Sequence, residues 1–269
     1  MSDFINKHKK RNARNGSNVG ESYEKNTISY IESTFEASPT FRILKVNSTE
    51  FPDKKEMDAR VVEVERMGSL REVLFRPKQY LNLGTYVEFD GNTWIVSDSW
   101  GDKEFLSRAL VQRCNHKLKF SISENWKNED GSLDESKIVE TYCVSSQSPL
   151  GSKATQGKAD IGFNSYGVML PTGQLFVYFE KNEMTKTIGL NHRLIFGSNV
   201  YEVYGVDDAS LTDEKGHGIT QLTIKLTTRR DEDDFTNQIA FNKVEEEPVN
   251  KVQTSVELAK DEEEGGRLW

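Results

Sequence analysis

The sequence predicts a mainly β protein, with two small β-barrel or sandwich-like units, an N-terminal helix and charged terminal arms. Apolar and polar residues alternate through much of residues 41–226, which is the period of half-buried strands. In addition, the pattern of residues 83–98 recurs at residues 190–205 after a shift of 107 positions without a gap. The recurrence predicts two similar β units, produced either by internal duplication or by convergence of two hairpins.

The recurring stretch is a hairpin pattern whose apolar residues share one face. In the first copy the turn is Asp90-Gly91, and Gly197-Ser198 takes its place in the second. Residues two apart in a strand share a face, so pairing around these turns gathers two matched sets. The sets are Val87, Phe89, Trp94 and Val96 in the first copy, and Leu194, Phe196, Tyr201 and Val203 in the second. We expect this face to be core and its aromatic rings to be buried.

Residues 1–39 are predicted to form a basic arm followed by one helix. Asn18 and Glu21 fit a capping box, and Pro39 ends the helical pattern. The apolar stripe is narrow, so we expect the helix to cover a surface or a partner and not to lie in a core. The stripe consists of Tyr23, Thr27, Tyr30, Ile31 and Phe35.

The remaining chain divides into four predicted parts. Residues 40–123 form the first β-barrel unit, with strands at 41–46, 59–66 and 72–77, the first hairpin, and one or two strands in 105–123. Residues 124–137 form a polar connection, and residues 138–230 form the second β unit, which contains a long loop at 148–162. Residues 231–269 form an acidic C-terminal arm, in which 242–264 are expected to be a loose or induced helix.

Composition narrows the class of protein. Hydrophobic residues make up 35% of the 269 residues and charged residues 29%, so polar arms and linkers dilute the packed part. Cys114 and Cys143 have neither metal-ligand spacing nor a disulfide framework. No apolar run approaches the roughly 20 residues of a membrane span, and the N-terminus is polar. We expect a soluble protein that is cytosolic when made, with no membrane partner.

The two ends carry opposite charge. Residues 1–16 have five basic residues against one acid, whereas residues 231–269 have twelve acids against four bases. Such ends are usually solvated arms, and the alternative is that they contact neighbours in an assembly. The apolar residues that close the acidic arm favour the second interpretation. The candidate assembly contacts are Lys7, Lys9, Lys10, Arg11, Arg14, Arg267, Leu268 and Trp269.

No residue pattern indicates catalysis, a cofactor or a metal. The loop at 151–159 has the wrong glycine spacing for a phosphate-binding P-loop and lacks a hydroxyl after Lys158. The acids at 207–208 and 213–214 lack the spacing of a calcium loop. The histidines have no ligand partners at metal spacing: His8, His116, His192 and His217. His192 takes the place of Thr85 in the recurring hairpin, which suggests the edge of a core. We predict a protein that is not an enzyme.

Several stretches together resemble minor virion proteins of tailed bacteriophages that infect Gram-positive hosts, similar to head-closure or head-tail connector components of the neck. The stretches are KHKKRNARNG, SPTF, LFRPKQYLNLGTYVEFDGNTWIVSD, ALVQRCNHKLKF, LPTGQLFVYF and GHGITQLTIKL. The resemblance covers most of residues 7–226 and rests on strand patterns. It implies a virion structural protein whose β units form a homo-oligomeric ring beneath the portal, with interlocking arms.

The resemblance also implies portal or adaptor and tail proteins as partners, with nonspecific proximity to DNA. A tail or baseplate component is one alternative. An OB-like barrel that binds nucleic acid through exposed aromatic rings is another. Only the basic arm fits DNA contact, and an arm of that size gives nonspecific, salt-sensitive binding.

Overall fold

A computed structural model describes residues 7, 19–47, 55–64, 69–102, 106–123, 126–128, 130–147, 150 and 173–242. Within these ranges lie the helix α1 (Val19–Thr34) and twelve strands in two six-stranded sheets. The predicted mainly β architecture, with two barrel-like units and an N-terminal helix, is confirmed.

The first sheet is a closed barrel of antiparallel strands. Its spatial order is β1-β2-β3-β6-β5-β4, and pairing of β4 with β1 closes it. The closed barrel has no unpaired edge strand. Alternate side chains fill its interior, including Leu44, Val46, Val73, Phe75 and Val111. The strands are β1 (Phe41–Asn47), β2 (Glu56–Glu63), β3 (Leu70–Phe75), β4 (Tyr86–Phe89), β5 (Asn92–Asp102) and β6 (Leu106–Arg113).

The second sheet repeats this order with every strand number raised by six. Its order is β10-β11-β12-β9-β8-β7, again with antiparallel neighbours. Short 3₁₀ helices occupy Glu135–Lys137 and Thr185–Thr187. The strands are β7 (His116–Ser121), β8 (Ile138–Ser146), β9 (Gln174–Glu180), β10 (Arg193–Phe196), β11 (Asn199–Asp207) and β12 (Ile219–Thr227). Two six-stranded units with one topology are therefore joined in tandem.

The end strands of the second sheet, β7 and β10, face each other across a seam. The rings of His116 and Phe196 lie 5.7 Å apart between centroids, and those of Phe120 and His192 lie 6.0 Å apart. Among the described residues no backbone ladder joins β7 to β10. The first barrel closes the equivalent gap with the β1–β4 ladder, whereas the second closes it with side chains.

The two hairpins match in backbone detail as well as in side chains. Val87 pairs with Trp94, and Leu194 pairs with Tyr201, as predicted. A register shift follows Val96 in β5, and another follows Val203 in β11, 107 positions later. Positive φ angles recur at the same offset, +82° at Gly84 and +63° at Asn191. Hydrophobic alternation requires none of these irregularities, so they favour duplication over convergence.

The predicted core face of each hairpin is confirmed, although Phe196 and Tyr201 in the second are only half-buried where burial was expected. Phe89 and Trp94 stack inside the first barrel, with ring centroids 4.9 Å apart and an interplanar angle of 6°. Leu194 and Val203 are buried in the second core, and Phe196 packs against them. Most of the opposite face is also buried, which alternation alone did not predict, because a further layer of the protein covers it. Its buried residues are Tyr86, Ile95, Arg193, Ile195 and Val200.

The structure divides the chain differently from the predicted boundaries. The predicted first unit, residues 40–123, includes β7, which pairs with β8 in the second sheet. Only Cys114 and Asn115 separate β6 from β7, and alternation cannot show that a chain changes sheets there. Residues 231–242, predicted as the start of the acidic arm, pack on the second barrel. The predicted loop at 148–162, except for Leu150, and the predicted helix beyond residue 242 lie outside the described residues.

At Gly84 the backbones of the two barrels come close together. A Cβ at this position would lie 2.0 Å from the carbonyl oxygen of Gly218, and φ is +82°. Gly91 has a similar φ of +73° and open space around it.

Gly91→Ala should lower the free energy of unfolding by about 1–2 kcal/mol, the cost of a left-handed alanine. Gly84→Ala should cost clearly more, because the backbone of Gly218 must also move. Urea denaturation of both variants measures this, and equal losses would contradict the close approach.

Candidate functional site

The predicted assembly contacts lie almost entirely outside the described residues. Lys7 is described, with helical backbone and an exposed side chain. The other seven candidates are not described: Lys9, Lys10, Arg11, Arg14, Arg267, Leu268 and Trp269. Candidate surfaces therefore come from the described residues, and the sequence did not single them out.

The C-terminal end of α1 is fixed to the outside of the first barrel. Phe35 is buried there, with the guanidinium groups of Arg60 and Arg76 each 4.7 Å from its ring centroid. Arg76 forms ion pairs of 2.6–2.7 Å with Glu32, Glu36 and Asp58. The aromatic ring and the paired charges hold this end of the helix over β2 and β3.

The predicted apolar stripe of α1 is covered at its C-terminal end and exposed further towards its N-terminal end. Ile31 is half-buried and Phe35 is buried, whereas Tyr23 is 74% exposed and Tyr30 is 69% exposed. The two tyrosines are seven positions apart, about two helical turns, so they lie on one face of the helix. Aromatic residues are enriched in the buried centres of protein–protein interfaces. The face formed by Tyr23 and Tyr30 is thus a candidate contact surface, and we call it the tyrosine face.

A buried tyrosine hydroxyl joins the two barrels. Tyr86 Oη accepts the backbone N–H of Glu180 at 3.0 Å and donates to the backbone carbonyl of Tyr142. Burial raises the pKa of Tyr86 well above its usual range, so the phenol remains a donor. Apolar side chains from both barrels surround it: Ile95, Val144, Phe176, Tyr178 and Ile219.

Residues 231–242, which we call the strap, cover the outer face of β10 and β11. Asp233 pairs with Arg193 at 2.8 Å, and both side chains are almost fully buried. Arg193 also donates to the backbone carbonyls of Thr228 and Phe241. The side-chain amide of Asn242 bonds both the N–H and the carbonyl of Arg193, at 2.5 and 3.1 Å. Breaking a buried pair of this kind typically costs about 3–5 kcal/mol, so the strap is an integral part of the second barrel.

A cavity of about 660 Å³ opens where the seam begins, next to the strap. Ser121 at the end of β7 and His192 just before β10 line it, together with Leu190, Arg230 and Asn242. The Ser121 hydroxyl and the Nε2 of His192 are buried there without a hydrogen bond to any described residue. Burial lowers the pKa of His192 to about 4, which makes its imidazole neutral at neutral pH. We call this space the seam cavity.

The pKa values of the two cysteines follow from their burial. Burial raises the pKa of Cys114 to about 12 and also raises that of Cys143, so both thiols stay protonated. Across the described ranges, no three His, Cys, Asp or Glu side chains are grouped so that they could hold a metal ion. In the same ranges no helix has the length and apolarity needed to cross a membrane.

Comparison with known families gives one match, and it falls on the second barrel. Residues 116–225 match the YomX C-terminal domain. The match begins at the first residue of β7, where the structure also places the change of sheets. That family is phage-derived, from phages like Bacillus phage SPBc2. The match covers less than half of the chain, and it indicates a phage protein.

Other comparisons add no functional argument. A search of curated proteins found no match. Among solved structures, MrkH, described as a c-di-GMP-dependent transcription regulatory factor, shares 7% identity over 78% of this chain and 86% of its own, with a TM-score of 0.17. YcgR from Escherichia coli, in complex with c-di-GMP, shares 6% identity over 77% and 84%, with a TM-score of 0.16. Neither likeness is close enough to relate the folds.

The sequence did not indicate the tyrosine hydroxyl between the barrels or the seam cavity. His192 was expected at the edge of a core, and it lies at the seam, but the cavity itself follows from a missing backbone ladder. No local motif could have shown it. The sequence showed the tyrosine face as part of a helical apolar stripe. It did not show that the C-terminal end of the stripe is covered while the two tyrosines are exposed.

Tyr86→Phe tests the contact between the barrels. The change removes two hydrogen bonds of the hydroxyl, from the N–H of Glu180 and to the carbonyl of Tyr142, so we expect a loss of about 1–3 kcal/mol in the free energy of unfolding. Tyr204→Phe is the control, because the Tyr204 hydroxyl bonds Gln174 at an exposed position and should cost under about 0.5 kcal/mol. Chemical denaturation provides both values. Equal effects would show that the buried hydroxyl has no special role.

His192 should make the protein sensitive to acid. Its pKa is about 4 when folded and near 6.5 when unfolded, so the unfolded chain binds the proton first as the pH falls. The stability that comes from neutral His192 is fully present above pH 6.5 and is lost on acidification towards pH 4. His192→Gln should flatten this part of the curve of unfolding free energy against pH, measured by urea denaturation. Parallel curves for His192→Gln and the unaltered protein would contradict the assignment.

Proposed function

We propose that the protein is a structural component of a tailed-phage virion and forms part of the head-tail connector ring. In this proposal the two barrels form the body of each subunit, and the terminal arms interlock neighbouring subunits. Portal or adaptor proteins bind on one side and tail proteins on the other. The observation that carries the proposal is the match of residues 116–225 to a phage-derived family.

The form of the folded part is compatible with such a subunit. The first barrel is closed, and the end strands of the second face each other, so neither offers a long free edge for strand addition. Contacts between copies must then come from side-chain surfaces and arms. The tyrosine face supplies one such surface, and a contact between different patches of adjacent copies closes into a ring when the rotation between them allows it.

The alternative functions receive less support. A nucleic-acid-binding barrel needs exposed aromatic rings on which bases stack. The hairpin rings that could have served this role, Phe89 and Trp94, stack on each other in the first core, although Trp100 and Tyr204 are exposed. A tail or baseplate component remains an alternative structural role in the same particle, and the position in the particle distinguishes it from the connector.

The location can be tested with particles of the phage that encodes this chain. Reconstruction of the intact virion, with the protein marked by a bound antibody fragment, should show it as a ring between portal and tail. Density only in the tail or baseplate would favour the alternative. Absence from purified particles would overturn the structural role.

Tyr23→Ser with Tyr30→Ser tests the contact surface. We expect the double variant to lose ring formation with purified portal, seen by negative-stain microscopy and mass measurement, while its melting temperature changes little, because both side chains are exposed. Ile43→Ser, at a 54% exposed position on the first barrel, is the control and should assemble normally. Normal rings from the double variant would exclude the tyrosine face as a contact.

A further inference from the structure

The seam cavity contains polar atoms that have no partner in the described structure. Ser121 is only 2% exposed, and its hydroxyl makes no hydrogen bond to a described residue. The Nε2 of His192 is buried beside the same cavity and also makes no hydrogen bond to a described residue. A buried polar atom without a partner costs about 1–3 kcal/mol, so native structures seldom retain one without a reason. The two atoms suit a ligand that carries a hydrogen-bond donor.

The seam cavity is lined by aliphatic and charged side chains. Leu190 is 63% exposed and Ile122 is 46% exposed, although both are aliphatic. Arg230 has an exposed side chain, and no ion pair joins its guanidinium to a described residue, whereas the lining acid Glu202 is paired with Lys225 at 3.8 Å. The volume of about 660 Å³ is in the range of ligand pockets. The matching ligand combines an apolar ring, an N–H or O–H donor and negative charge.

The chain itself supplies a segment with these three properties. Residues 261–269 read DEEEGGRLW, four acids followed by two glycines and then by Arg267, Leu268 and Trp269. An indole ring is apolar apart from one N–H, which can only donate. The acids carry the charge that Arg230 can pair with, and Gly265-Gly266 allows the backbone to turn between the two groups.

The position of the cavity also suits this segment. The described chain ends at Asn242, which lines the seam cavity. Residues 243–269 follow, and 27 residues span at most roughly 90 Å when extended. This reach exceeds the size of one small barrel, so the segment of one copy can arrive at the same cavity of an adjacent copy.

We propose that the seam cavity of the second barrel binds residues 261–269 of a neighbouring copy of this chain. Trp269 enters between Leu190 and Ile122 and donates its N–H to Ser121 or His192, while the acids at 261–264 pair with Arg230. The proposal rests on the self-assembly proposed above and names its partner segment. It gives the acidic arm a receptor and the open seam a role as an assembly site.

A peptide experiment tests the site directly. The receptor is the full chain carrying Trp269→Ala, and the probe is a fluorescent peptide of residues 258–269, followed by anisotropy. We expect saturable binding, and at least tenfold weaker binding when the peptide carries Trp269→Ala or when the receptor also carries Leu190→Glu. Ile43→Glu in the receptor is the matched control and should leave affinity unchanged, because Ile43 is a similarly exposed aliphatic residue on the other barrel.

Complementation between two full-length variants tests binding between copies. Trp269→Ala keeps the cavity and lacks the inserted ring, whereas Leu190→Glu keeps the ring and has an altered cavity. We expect each variant alone to be monomeric and a mixture to form a 1:1 complex, measured by light scattering after size-exclusion chromatography. The unaltered chain should form larger species at the same concentrations.

The outcomes separate this inference from the proposed function. No saturable peptide binding, or binding that Leu190→Glu does not weaken, would overturn the site. An unaltered chain that stays monomeric where the variant mixture forms complexes would show binding within one chain and overturn the contact between copies. If the Trp269→Ala chain still forms rings with portal, the inference fails while the connector proposal stands.

Discussion

The arrangement of the molecule depends on the contact between the outer face of the first hairpin and the second barrel. Tyr86 lies at its centre, and its hydroxyl is bonded to backbone groups of Tyr142 in β8 and Glu180 in β9. An apolar contact alone allows sliding, because burial of area has no direction. The two hydrogen bonds of the buried hydroxyl can form together in only one alignment of the barrels. The geometry of every other surface, including the relation of the tyrosine face to the seam cavity, follows from that alignment.

The outer face of the second hairpin is also fixed by a buried polar residue, but through an ion pair instead of a hydroxyl group. Arg193 lies 107 positions after Tyr86 and is likewise the buried polar residue of the outer face. Its partner is Asp233 in the strap. Each hairpin therefore uses its inner face for its own core and its outer face for the next layer of protein. The strap takes, on the second barrel, the place that the second barrel takes on the first.

The sequence predicted those features that are encoded over a few residues. Alternation and the Asp90-Gly91 turn sufficed for the pairing of Val87 with Trp94 and for the inner face of both hairpins. The sheet to which β7 belongs was not predicted, because a strand carries no local mark of its partner. The strap was not recognised either, since Asp233 looks like any acid of a charged tail until Arg193 is placed against it. The seam cavity depends on a ladder that does not form, and an absent pairing leaves no pattern in the sequence.

The strand order has a consequence for synthesis on the ribosome. Every strand of the first barrel comes from residues 41–113, so its ladder can close while the rest of the chain is still being made. Domains generally fold as units, with the N-terminal one first. The outer face of the first hairpin is then exposed, and β8 and β9 can pack on it as they leave the ribosome. The nascent second barrel need not find its position by diffusion, because its neighbour is already in place.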